Sequence, residues 1–419
     1  MFNFQCLRRL LSSIGLAAVM VGCSIDGETL STWSRVPNGH QRLSAYLADT
    51  NRPEELRIHA ALVLLDSDRV AELVYVIRNT SPRDRRRLVQ ALANIIVQYI
   101  DKEDDPMKMR AASFAYYLFQ FSGELRGQNY NEPQDKVLVE RVVGWLLERL
   151  KIYDSLPKGL QPPEEILLAA AHAHPTLTLP MIYNYLENPP DLKRFLIVNR
   201  VLTKIPSKDV RQKQARLLLK YAKTLYPNIG PELAIVMSKN QNETLLRFLL
   251  DSVRDYRVPS TTRLVGLKAT ELLKEKALPG LMQVLRTDDP KNDNLNRLNA
   301  LDLIWNIGGV NTLAAALEAL PATGTWWPNG MEFKAQVDEF CDSKLKPAAD
   351  AVRPILLSLI DHANWVTNVY AMECVVRLYA DASDLLEPLA SDPQVLKGWA
   401  EDGEITVGDY VKSLAAQQP

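Results

Sequence analysis

Arg57-Ile58-His59-Ala60-Ala61, Arg263-Leu264-Val265-Gly266-Leu267 and Arg297-Leu298-Asn299-Ala300-Leu301 share one grammar: an arginine, two residues, a small residue, then an apolar one. Each runs on into further apolar positions. Arg263 and Arg297 stand 34 residues apart, and Val369-Tyr370-Ala371-Met372 keeps the register without the arginine, Ala371 falling 71 residues beyond Ala300. A small residue lets a neighbouring helix approach closely. The arginine is expected to lay its stem along the apolar face while its charged head stays in water.

Outward from these motifs, no segment after His40 shows the alternation of a half-buried strand, whereas apolar residues recur at helical spacing between short Pro, Asn, Asp or Gly breaks. Asn51-Arg52-Pro53, Ser81-Pro82, Asp105-Pro106, Pro189-Pro190, Pro206-Ser207, Pro259-Ser260 and Lys346-Pro347 each precede such a pattern. Proline suits a first helical turn, where the missing amide has no intrahelical partner. Helix pairs are expected to begin near Pro162, Pro190, Asn228, Pro259, Asn294, Met331 and His362. Segments 101–135 and 321–335 interrupt this period and read as insertions or irregular repeats.

A two-helix unit of that length predicts an all-α fold, an α-solenoid of antiparallel helix pairs in which neighbours must stack to bury their apolar faces. Over nearly the whole of residues 39–419 the pattern resembles HEAT or armadillo-like repeats. The Trp, Gly, Tyr and Pro pattern of tetratricopeptide repeats is not evident. With 47% hydrophobic and 24% charged residues in 419, the composition is that of a folded chain rather than a disordered one.

The N-terminus reads differently. Arg8 and Arg9 precede an apolar stretch from Leu10 to Val21 broken only by Ser12, Ser13 and Gly15, which has the length of a secretory signal and is too short to span a bilayer. Met20-Val21-Gly22-Cys23 then resembles the lipobox of bacterial lipoproteins, with Met where Leu is usual. The resemblance implies a signal peptide over residues 1–22, cleavage before Cys23, and acyl chains such as palmitate on Cys23. Two or three chains anchor stably where one does not. By the same resemblance Ser24, which is not Asp, favours the outer membrane, at its periplasmic face. An ordinary secretory signal with an incidental cysteine is the alternative. Residues 23–38 are polar and aperiodic, the expected tether.

The net charge is −1, and loss of Arg8 and Arg9 with residues 1–22 makes it more negative, so nucleic acid is not an expected partner. Arg83, Arg85, Arg86 and Arg87 read as a solvated helix face. No Gly-rich phosphate loop, His-Glu-x-x-His or Gly-x-Ser-x-Gly motif is present. His172 and His174, with Glu164 and Glu165 earlier in the same pattern, point about 200° apart on a helix and make a poor chelate unless Pro175 ends the helix there. Asp288, Asp289, Asn292, Asp293 and Asn294 resemble the start of a calcium loop, but the central Gly is missing and Asn299 stands where a bidentate Glu is needed. No metal or cofactor is expected.

Trp326-Trp327-Pro328-Asn329-Gly330 lies in the least repeat-like part of the C-terminal half. Trp326 and Trp327, with Asn329, are either core packing or an aromatic platform for a glycan or a partner's side chains. Cys341 and Cys374 occupy apolar helical settings that suit free thiols, although export makes a bridge between them chemically possible. The expected function is a lipid-anchored cell-envelope scaffold or adaptor that binds a protein partner on its helical surface, with the membrane as a second partner through Cys23. The alternatives are an envelope enzyme acting on polysaccharide or peptidoglycan, and a passive glycan-binding module.

Overall fold

The computed structural model describes residues 25–101, 105–125, 133–286, 294–321, 330–396 and 405–416. Helix makes up 80% of the structure, against about one-third in ordinary globular proteins. Among the described residues there is no strand, only an antiparallel bridge between Val395 and Thr406. The chain forms two compact units, Met1–Ile205 and Pro206–Pro419.

The first unit contains α1 (Gly27–Trp33), α2 (Gly39–Ala48), α3 (Glu54–Asp66), α4 (Val70–Asn79), α5 (Pro82–Ile100) and α6 (Asp105–Leu125). It continues with α7 (Pro133–Lys151), α8 (Glu164–Ala173), α9 (Pro175–Glu187) and α10 (Leu192–Thr203). The second unit contains α11 (Lys208–Leu225), α12 (Pro231–Asn240), α13 (Glu243–Val253), α14 (Ser260–Thr270), α15 (Leu278–Arg286) and α16 (Asn294–Gly308). After these come α17 (Val310–Glu318), α18 (Gly330–Phe340), α19 (Ala349–Leu359), α20 (Trp365–Leu378), α21 (Ala382–Leu386) and α22 (Val407–Ala415).

Local chemistry explains where the helices start. Ser81 accepts from the Asp84 amide ahead of Pro82, Asp191 from Arg194, Ser207 from Val210, and Asn364 from Val366. Each bond satisfies an amide that lacks an intrahelical acceptor. All seven proline-marked starts head a helix, and so does every expected pair start, within three residues. Along α5, Leu88, Val89, Leu92, Ala93, Ile96 and Ile100 make the buried stripe, while Arg83 and Arg87 face solvent. Arg85 departs from that exposed face: it is half-buried and donates to the Arg78 carbonyl at 2.6 Å.

Residues 27–33, read as tether, are helical instead. Asp26 caps α1, and its single core residue, Leu30, is fully buried where α1 packs on α2 and α3. Two apolar side chains, Leu30 and Trp33, in seven residues leave no period to read.

The wet-headed arginine is overturned as well. Arg57, Arg263 and Arg297 are 3%, 6% and 3% exposed. Arg57 donates through Nε to the Leu47 carbonyl at the end of α2 (2.8 Å) and through both terminal nitrogens to Asp84 in the first turn of α5 (2.9 and 2.5 Å). It therefore ties α3 to the helix before it and to α5. Burying a guanidinium is tolerable only with this full pairing. The small position works as expected: a methyl group on Gly266 would come within 3.1 Å of the Leu249 carbonyl oxygen on α13.

Cys341 and Cys374, for which the sequence leaves both free thiols and a bridge open, form a disulfide. Cys341 opens a π-helical turn (Cys341–Leu345) after α18, and that element packs directly on α20, which carries Cys374; the Cα atoms are 5.3 Å apart, within bridging reach. All residues of α20 from Trp365 to Val375 are buried, so this helix is the centre of the second unit. Its polar residues find partners there: Thr367 donates to the Leu317 carbonyl (2.8 Å), Asn368 to that of Ile360 (2.8 Å), and Glu373, 1% exposed, accepts from the Tyr410 hydroxyl. Burial, first, and then the Glu373 charge hold the Tyr410 phenol well above its usual range.

Candidate functional site

The first unit carries a groove between α6 and α8. On α8, Glu165, Leu168, Ala169 and His172 follow at three, four and seven residues and share one face. On α6, Tyr116, Phe119 and Gln120 do the same, and Arg78 near the end of α4 completes the wall. These residues, with Ala173, enclose a cavity of about 610 Å³, within the range of ligand sites. Its floor is the buried Phe119 with Leu168, Ala169 and Ala173. Its rim is polar and exposed.

The groove has two electrically different ends. The Arg78 guanidinium lies 5.9 Å from the ring centre of Phe121, and the His174 ring meets Phe119 edge-on at 6.0 Å. Arg78 and the C-terminal end of α8, where His172 projects, are thus both at the level of Phe119 and Phe121. Glu165 stands seven residues back along α8, about 10 Å at 1.5 Å per residue. Glu164, its chain neighbour, is neutralised by Arg200 (2.5 Å) and Lys204 (3.8 Å). Among the described residues Glu165, His172 and Gln120 enter no hydrogen bond or ion pair, and the one side-chain contact of Arg78 is the Phe121 ring.

A second cavity, of about 290 Å³, lies over α2 and α3 and is lined by Ser34, Asn38, His40, Leu64 and Arg69 among others. His59 meets the Ser31 hydroxyl at 3.0 Å, and His362 accepts from the Asn364 amide at 3.0 Å, so both are structural. Elsewhere, burial raises the Asp302 carboxyl above its ordinary range despite the nearby Lys344 ammonium.

Of the residues singled out in the sequence, Cys23, Trp326, Trp327 and Asn329 lie outside the described residues, as do Asp288, Asp289, Asn292 and Asp293. His172 and His174 are separated as their spacing predicts. Pro175 does end α8, but only after His174 has turned into the core, and His172 stays in solvent. Among the described residues no group of His, Cys, Asp or Glu could hold a metal ion. Glu165 and His172 were weighed only as metal ligands, whereas their seven-residue spacing puts them on one helix face. Tyr116, Phe119 and Gln120 were missed because α6 falls in the 101–135 stretch set aside as an interruption, and Arg78, on α4, because nothing in its local pattern links it to helices about 40 and 90 residues further on.

No protein-family model matches the chain, and no curated protein does. Among solved structures it is similar to the crystal structure of an engineered protein, 14% identical over 100% of this chain and 98% of that one, with a TM-score of 0.32. At that score the likeness adds nothing to the fold.

Proposed function

We propose that this protein is a lipid-anchored scaffold of the cell envelope that binds a protein partner in the groove between α6 and α8. The observation that carries the reading is the groove itself: an apolar floor of ligand-site size, rimmed by an arginine, a glutamate, an imidazole and an amide that the fold leaves uncommitted. By contrast the buried Arg57 is committed, paired with Asp84. One carboxylate and one imidazole about 10 Å apart do not converge on a single bond, which favours recognition over hydrolysis.

The architecture we infer is an α-solenoid of antiparallel helix pairs in each unit. Helices pack on the next in sequence and on the next but one: α5 on α7, α6 on α8 and α7 on α9 in the first unit, and α12 on α14, α14 on α16 and α18 on α20 in the second. Stacked helix pairs produce that alternation. Attachment would come from acyl chains on Cys23, placing the protein at the periplasmic face of the outer membrane. The Cys341–Cys374 bridge fits an oxidising compartment. No described helix is long and apolar enough to cross a membrane.

A photo-crosslinking residue at Leu168 in the groove, compared with one at the exposed Lys220 on α11, tests the reading in cells. A discrete partner adduct from position 168, absent from 220 and lost with Ala169→Trp, is expected. Equal or absent adducts would overturn the scaffold reading. Cys23→Ala should abolish labelling by a fatty-acid probe and release the protein from membranes. Continued labelling would end the lipoprotein reading alone.

A further inference from the structure

We infer that the occupant of the groove is an extended segment of a protein partner carrying a basic residue, an apolar residue and an acidic residue in that spatial order; this rests on the scaffold reading above. Charge complementarity selects the order. Among the described lining residues Glu165 is the only carboxylate, and it stands about two helical turns along α8 from the end whose His174 meets Phe119, while Arg78 lies against Phe121. The opposite end offers the Arg78 guanidinium, and His172, at the C-terminal end of α8, is a further possible donor on the groove wall. A carboxylate placed there meets a fork of donors matched to its geometry. An ammonium or guanidinium placed at the other end meets an unneutralised carboxylate. Between them Phe119, Leu168, Ala169 and Ala173 offer only apolar surface, so the central side chain must be apolar to avoid burying an unpaired polar group.

Length selects the conformation. About 10 Å between the charged ends, with the reach of the side chains, corresponds to roughly three to four residue steps of extended chain at about 3.3 Å each. The same distance along a helix would need about seven residues. A helix about 10 Å across is also a bulky fit for a cavity of about 610 Å³. Gln120 and the Tyr116 hydroxyl, both on the α6 wall, can serve the backbone amides and carbonyls of an extended segment. A wholly acidic segment would be repelled at Glu165 and a wholly basic one at Arg78, so the groove discriminates by repulsion as well as attraction.

The test uses the full-length protein in detergent and three labelled heptapeptides blocked at both ends, read by fluorescence polarisation. Gly-Lys-Ala-Leu-Ala-Glu-Gly carries both charges; the other two replace its Lys with Glu or its Glu with Lys. The mixed-charge peptide should bind at least about fivefold more tightly than either. Glu165→Lys should weaken it by about that factor and strengthen the all-acidic peptide. Arg78→Glu should instead favour the all-basic one, and Ala169→Trp should weaken all three. Both charged positions are exposed, and unchanged circular dichroism of the variants would show that folding is intact. Equal binding of the three peptides, no binding of any, or charge reversals that leave the ranking unchanged would overturn the charge order. If the Leu168 adduct survived such a failure, the scaffold reading would stand with a differently built partner; loss of the adduct would remove both.

Discussion

A buried arginine shows what a single position can and cannot disclose. Arg57 sits in an Arg-x-x-small-apolar motif whose spacing correctly places Ala60 in the core, yet the same spacing says nothing about whether the guanidinium reaches water. Its partners, Leu47 and Asp84, are 10 and 27 residues away, on other helices. Removing one member of such a pair strands the other, so Arg57→Met should destabilise the first unit by about 3 to 5 kcal/mol in urea denaturation. Arg57→Met with Asp84→Leu should recover much of that loss. Hydrogen bonding to Arg57 holds the Asp84 carboxyl below its ordinary 3.8. The unfolded chain therefore takes up the proton first. This contribution is whole above about pH 4 and is lost as the pH falls through the lower folded value. Asp84→Asn should flatten the acid limb of the stability profile; an unchanged limb would mean that the pair carries no net linkage. Arg194 repeats the device without the motif, donating Nε to the Leu150 carbonyl (3.2 Å) and pairing with Asp154 (3.0 Å). Ile197 stands where the small residue would be, which is why the sequence concealed it.

Among elements, helix starts were legible because caps and prolines act within four residues, and the structure places them where those signals fall. Relations between helices were not. The separation of 33 between Cys341 and Cys374 is close to the period expected from the sequence, but a period read only as helix spacing did not disclose a bond. Closing a loop of that length restricts the unfolded chain by roughly 4 kcal/mol in the chain-entropy model. Replacing both cysteines with serine should lower the unfolding free energy of the second unit by about 2 to 4 kcal/mol. Reductant should reproduce the loss in the parent protein and do nothing further to the variant. A variant as stable as the parent would show that packing around α20 already fixes this contact. The groove teaches the same lesson, since its α8 face was present in the spacing of Glu165 and His172 while its α6 face lay in a segment that broke the period.

At the scale of the molecule, the two units and the repeating neighbour pattern make different claims about cooperativity, and Ala300 separates them. It is fully buried in α16, which packs on α14, α15 and α17. Ala300→Leu adds three carbons to a contact with no space for them, and overpacking of this kind costs about 1 to 3 kcal/mol. In a stack of helix pairs, stability is nearly a sum of local terms and nearest-neighbour interfaces. The strain should then appear as faster hydrogen exchange across α14 to α17, fading toward α11, with α2 to α5 unchanged. A single cooperative core in the second unit would instead accelerate α11 to α20 together by one factor, because every amide would exchange through the same global opening. Exchange measured peptide by peptide distinguishes a gradient from a step. A step ending at Pro206 would leave two compact units and remove the solenoid; a gradient would mean that each helix is held chiefly by its neighbours, as the 34-residue spacing of Arg263 and Arg297 implies.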